Sequence, residues 1–148
     1  RISDLNPLNM RKLYEVNTIG PAMIAKYFIP LLDSTEKSVF AVLSARVGSI
    51  KDNSLGGWTS YRASKAALNM IIKTISIETA RTIPNAIIVG LHPGTVDTNL
   101  SKPFQKNISK EKLFSPNYTV EKLLSVINNL EAKDSGGFFA WDGKQIDY

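Results

Sequence analysis

The sequence contains no cysteine and a single histidine, His92. The first absence excludes a disulfide framework, a thiolate metal site and a cysteine nucleophile. The second excludes any metal site that needs two imidazoles. No apolar run approaches the roughly 18 to 20 residues of a membrane-spanning helix, and no signal-peptide pattern opens the chain. A cytoplasmic location is therefore expected. Of the 9 glycines in 148 residues, none falls into a G-x-x-x-G-x-G or G-x-G-x-x-G pattern. Gly56-Gly57 and Gly136-Gly137 lack the spacing that opens a phosphate-binding helix. The chain starts Arg1-Ile2-Ser3 without a methionine, so it reads as a fragment or a processed product.

What is present is enough for one domain. Hydrophobic residues make up 43% of the chain and charged residues 21%, which suffices for a core and is unlike a disordered segment. The net charge is +5, from 18 Lys+Arg against 13 Asp+Glu. These basic residues are scattered, without an arginine stripe or zinc-finger spacing, so nucleic acid is not an expected partner.

Asn6-Pro7 reads as a helix start. Leu8, Leu13, Val16, Ile24, Phe28 and Leu31 then recur at helical spacing to about residue 32, with Gly20-Pro21 interrupting. The run 38–44, SVFAVLS, has the length and character of a strand buried on both faces. Residues 45–59 are loop-rich. A second helix is expected over about 60–82, with Ala63, Ala67, Met70, Ile71 and Ile75 on its apolar side and Pro84 ending it. The run 85–91, NAIIVGL, is another apolar strand; a polar loop follows to about 117, then a helix over 119–130 and a short strand over 137–141. Alternating helices and strands predict an α/β fold with a parallel sheet and flanking helices.

The chemistry concentrates in Tyr61-Arg-Ala-Ser-Lys65. Four residues apart on a helix, the phenol and the ammonium leave the same face. A free tyrosine titrates near 10; a nearby lysine charge lowers that value and makes the phenol a usable acid or base. One strand ends before this segment at Ser44, and another runs into Pro93-Gly94-Thr95-Val96-Asp97-Thr98. In parallel sheets ligands sit beyond the carboxyl ends of the strands, so these features converge on one crevice. Pro21 adds a local argument. It has no N–H, so the carbonyl of Asn17 lacks its regular helical partner and a water is the natural substitute.

Three strings, VNTIGP with Asn17, YRASKAALNM with Tyr61 and Lys65, and P-G-x-V-x-T from Pro93, together resemble the short-chain dehydrogenase/reductase family. The resemblance covers the whole chain but only the later two thirds of the family's domain. SARVGSI, GGWTSYRASKAALNM, LHPGTVDTNLSKPF and SGGFFAWDG look in particular like the C-factor group, named after a bacterial cell-to-cell signalling protein.

The resemblance implies a partial Rossmann-type domain over 1–148, NADP or NAD as cofactor, and a small carbonyl or alcohol substrate. Tyr61 is then the proton donor or acceptor. Lys65 lowers its pKa and bonds the nicotinamide ribose, Asn17 positions a water, and Ser44 orients the substrate oxygen. Pro93, Gly94, Val96 and Thr98 contact the nicotinamide end. A homodimer or homotetramer is expected. The alternative implied by the same likeness is a non-catalytic binding or signalling homologue.

One departure from the family pattern bears on the site. The family's catalytic serine falls where this chain has Ala45. Ser44 projects to the other side of an extended strand, leaving Ser49 or Ser60 as substitutes. His92 reads as structural. Phe104, Phe114, Phe138, Phe139 and Trp141 read first as core residues and second as a pocket lining.

Overall fold

Asn6 caps the first helix: its side chain accepts from the N–H groups of Leu8 and Asn9, and Pro7 occupies the first turn. The computed structural model describes residues 2–102, 105 and 109–148; the expectation for Phe104 falls outside them. The helical stretch expected over 7–32 is broken into α1 (Pro7–Tyr14), a widened π turn (Glu15–Ile19) and α2 (Gly20–Phe28). Gly20 N–H donates to the Glu15 carbonyl, five residues back. The slip falls immediately before Pro21, whose missing N–H could not have continued the regular ladder.

Three strands form one parallel sheet in the order β1 (Ser38–Leu43), β2 (Ala86–His92), β5 (Phe138–Ala140). Ser38 to Leu43 pair in register with Ala86 to Leu91, and Gly90 to His92 with Phe138 to Ala140. The helix α3 (Thr59–Thr79) crosses from β1 to β2, and α4 (Pro116–Asn129) from β2 to β5. The loop after β2, expected to be structureless, contains a small parallel pair, β3 (Thr95–Val96) with β4 (Leu113–Phe114).

The strand period of two sorts the core onto two faces. Ile88, Phe40 and Val42 meet Ala25, Ile29, Leu68 and Ile72 of α2 and α3. Ile87, Val89, Leu91 and Phe139 meet Val126 and Leu130 of α4. Phe138 and Phe139 are thus core, as expected. Burial of each such side chain stabilises the fold by about 1.5–3 kcal/mol.

Two sequence expectations are corrected. β1 is not buried on both faces: it is the edge strand, and Leu43 is exposed. The apolar stripes of the helices are not their core faces either. Leu8, Val16, Ile24, Phe28 and Leu31 are exposed, while Thr18, Ala25 and Ile29 are buried. On α3, Met70 is exposed, and the buried positions include Ser64, Lys65, Asn69, Ser76 and Thr79. Among the described residues no helix is long and apolar enough to cross a membrane.

Candidate active site

Tyr61 and Lys65 lie on consecutive turns at the start of α3. The loop before them turns sharply, with Gly56, Gly57 and Trp58 all at positive φ. Trp58, at φ 46, is in a left-handed conformation that strains a residue with a side chain. Arg62 holds this bend. Its guanidinium donates to the carbonyls of Gly56, Gly57 and Val47 and lies 5.8 Å from the Trp58 ring. Sequence reasoning missed this role, because its acceptors are backbone groups brought together only by the turn.

Tyr61 is half-buried, and its hydroxyl has no hydrogen-bond partner among the described residues. Burial pushes its pKa above the usual phenol value. Burial also pushes Lys65 below the ordinary lysine value. The ammonium donates to the Leu43 carbonyl at 2.9 Å, at the end of β1. The expected lowering of the phenol by the lysine is therefore absent from this arrangement, since the charge is directed at a carbonyl. The ammonium retains two further donors.

Asn17 sits in the widened turn, and its amide donates to Ser64 Oγ at 3.0 Å. Ser64 Oγ in turn donates to the Tyr61 carbonyl at 2.8 Å, and Thr18 Oγ1 donates to the Ser64 carbonyl at 2.8 Å. Ser64 is fully buried and Thr18 nearly so. Neither was foreseen, because a serine or threonine on a helix carries no pattern until its partner is known.

Ser44 is buried at 4% exposure, and its hydroxyl donates to Asn69 Oδ1 at 2.6 Å. The strand alternation that puts Phe40 and Val42 against α3 puts Ser44 there too. Its expected use, orienting a substrate oxygen, meets a hydroxyl turned into the interior. Ala45 is extended, and Ser49 is buried with its Oγ accepting from Asp52 N–H. Ser60 is half-buried one residue before Tyr61, about 100° around the helix and so off the Tyr61 face.

Gly94 has φ +76, and a Cβ there would fall 2.6 Å from the Phe114 ring and 3.1 Å from Trp141. Pro93, Gly94 and Val96 are half-buried, whereas Thr98 is exposed in a turn that accepts from Ser101 and Lys102 N–H. Phe114, Trp141 and Tyr118 form an aromatic cluster, Phe114 and Trp141 meeting edge-on at 4.6 Å. Phe114 and Trp141 thus flank the turn after β2. His92, at the end of β2, is held neutral, its pKa pushed down to about 4 by burial and then by the Arg46 charge, against Asp142 and Asp52. Among the described residues no cluster could hold a metal ion.

A half-buried phenol, an ammonium one turn on and a glycine turn at the next strand end, set on a parallel sheet with crossover helices, fit a short-chain dehydrogenase scaffold. The short chain dehydrogenase family profile matches residues 1–109, and the chain belongs to that family. It is 31% identical over 146 residues to the C-signal of Myxococcus xanthus, covering 98% of this chain and 82% of that protein. It is 34% identical over 134 residues to the 1-hydroxy-2-glutathionyl-2-methyl-3-butene dehydrogenase of Rhodococcus sp., covering 90% of this chain and 56% of that one. The NADPH-bound carbonyl reductase from chicken fatty liver superposes with a TM-score of 0.87 at 30% identity, over 100% of this chain and 60% of that chain. The chain thus spans little more than half of these two enzymes. Its parallel sheet and helices correspond to the C-terminal portion of the carbonyl reductase's Rossmann fold.

Two features fit the nicotinamide end of a dinucleotide: the further donors of Lys65 and a Tyr61 hydroxyl without a hydrogen-bond partner among the described residues. The close approach at Gly94 is taken up by Phe114 and Trp141. The glycine-rich turn that would receive a pyrophosphate is not among these 148 residues.

Proposed function

We propose that this chain carries the proton-transfer half of an NADP- or NAD-dependent oxidoreductase acting on a small carbonyl or alcohol. The observation that carries this reading is the unpartnered Tyr61 hydroxyl with Lys65 one turn further along α3, on a chain of this family. The nicotinamide, when bound, supplies or accepts the hydride. Tyr61 donates the proton to the substrate oxygen in reduction and takes it back in oxidation. Lys65 would offer its remaining donors to the cofactor ribose, and its charge would favour the phenolate if it turned from Leu43 toward the phenol. Asn17 and Ser64 hold the helix turn that carries Tyr61. Pro93, Gly94, Val96 and Thr98 would border the nicotinamide. Because Ser44 faces Asn69, the substrate oxygen depends chiefly on Tyr61 for its hydrogen bond. We place the protein in the cytoplasm as a homodimer or homotetramer, packed through exposed apolar residues of α2 and α3 such as Met23, Ile24, Phe28 and Met70.

Tyr61→Phe tests this. The variant should lose at least about a hundredfold in kcat, the ordinary scale of a missing acid–base group, while NADPH still binds by nicotinamide fluorescence. Retention of most of the turnover overturns the proton assignment. One observation favours a second reading, a non-catalytic homologue: Ser44 and Ser49, the buried hydroxyls that follow β1, are both engaged in internal hydrogen bonds. Absence of cofactor binding and turnover in the longest natural form of the chain selects it.

A further inference from the structure

The buried Ser44–Asn69 hydrogen bond ties the end of β1 to α3 at the strand position whose carbonyl receives Lys65. Ser44 and Asn69 are 4% and 2% exposed, and their side chains meet at 2.6 Å. Ser44 N–H donates to the Leu91 carbonyl of β2 at 2.8 Å. In a planar trans peptide the carbonyl of Leu43 points opposite to that N–H. It is therefore aimed away from β2, toward the open edge of the sheet, where the Lys65 ammonium reaches it at 2.9 Å. Asn69 lies four residues beyond Lys65 on the same helix, so both side chains leave one face. Three fixed points follow: Ser44 to β2, Ser44 to Asn69, and Leu43 to Lys65.

We infer that Ser44 and Asn69 are positioning residues for Lys65, acting through the peptide plane between Leu43 and Ser44 rather than on a substrate. This deepens the reading of Tyr61 and Lys65 as a proton-handling pair and rests on it. It also gives a partner to each of two polar residues on the buried face of α3, Lys65 and Asn69. Burying a polar group is costly unless it is hydrogen-bonded, and here the hydrogen bond sets the register of α3 against β1. A leucine at position 69 would bury as well, but it would not fix that register.

The test reads the lysine directly and needs no cofactor. The full chain is labelled at lysine, and the Lys65 Nζ signal is identified by its loss in Lys65→Arg and titrated with pH. In the unmodified chain Lys65 should titrate below the exposed lysines. Ser44→Ala should move its midpoint up toward theirs, as the ammonium leaves Leu43 for solvent. Ser76→Ala removes another buried hydroxyl of α3, one that donates to the Lys73 carbonyl at 2.7 Å, and should leave Lys65 unmoved. If Ser44→Ala does not fold, Asn69→Ala carries the same expectation. A Lys65 midpoint unmoved in the folded variant, or moved equally by Ser76→Ala, overturns the positioning role. A shifted midpoint in a chain whose Tyr61→Phe variant keeps full turnover leaves the positioning role standing and sinks the proton assignment.

Discussion

The Asn17 amide and the Ser64 hydroxyl, 47 residues apart in sequence, meet at 3.0 Å and join the widened helical turn to the first turn of α3. Ser64 passes the connection to the Tyr61 carbonyl. Replacing Ser64 with alanine removes both bonds and leaves the Asn17 amide without this partner. The expected cost is about 1–3 kcal/mol, the scale of a buried hydrogen bond left half-made. Urea denaturation of Ser64→Ala against the unmodified chain measures it. A variant of unchanged stability would mean that the two helical segments are held by packing alone.

Gly48 is a second joint between β1 and α3. A Cβ there would lie 2.7 Å from Lys65 Cβ and 2.8 Å from the Lys65 carbonyl carbon. The second contact is backbone and cannot swing away, so Gly48→Ala must push the turn Arg46–Gly48 off the helix. Overpacking of this kind costs about 1–3 kcal/mol. Thermal denaturation should show the loss, and Gly143→Ala serves as its comparison. That glycine has open space but φ +82, so its penalty is backbone strain without collision. Equal stability of Gly48→Ala and the unmodified chain would refute the close contact.

β2 was readable because burial on both faces writes an unbroken apolar run, Ala86–His92; β1 was readable from a similar run although its residues are only half-buried or exposed. The edge position of β1 was not, since an edge is defined by which strand is missing beside it. The buried face of α3 misled for a different reason. Periodicity equates apolar with inside, but the inside of α3 carries Ser64, Lys65, Asn69, Ser76 and Thr79. Ser64, Lys65, Asn69 Oδ1 and Ser76 find partners in the widened turn, in β1 and beyond its end, and in the helix's own backbone, and the sequence pattern cannot report that. Tyr61 and Lys65 were legible because their spacing is local. The use of Ser44 depended on Asn69, 25 residues on, and could not be read from the strand alone.

Arg62 should control the order of the loop that leads into α3. Its guanidinium makes four hydrogen bonds to three carbonyls, with donor–acceptor distances of 3.0–3.2 Å. Lysine keeps the charge but not the planar fork that serves several acceptors at once. Arg62→Lys should therefore lose most of the effect and Arg62→Met all of it. Each lost 1.4 kcal/mol raises the population of the opened loop about tenfold. Limited proteolysis reads this at Leu55, which is 88% exposed. Cleavage there at the same rate in all three proteins would show that the glycine turn holds itself.

His92 gives a pH dependence with a definite sign. In the folded chain its pKa is about 4, against an ordinary value of 6.5, because burial and the Arg46 charge oppose protonation. The unfolded chain takes up a proton below about 6.5 while the folded chain does not, so this group's contribution to stability is complete above that pH. It falls as pH drops toward 4, with a slope of about 1.4 kcal/mol per pH unit. Urea melts at pH 7 and pH 5 should therefore show a smaller loss for His92→Asn than for the unmodified chain. As the chain has one histidine, a single imidazole resonance reports its titration directly. Arg46→Gln should raise that midpoint, because removing the cation leaves Asp142 and Asp52 to favour the charged ring. A midpoint near 6.5 in the folded chain, unmoved by Arg46→Gln, would place the imidazole in solvent and contradict its position at the end of β2.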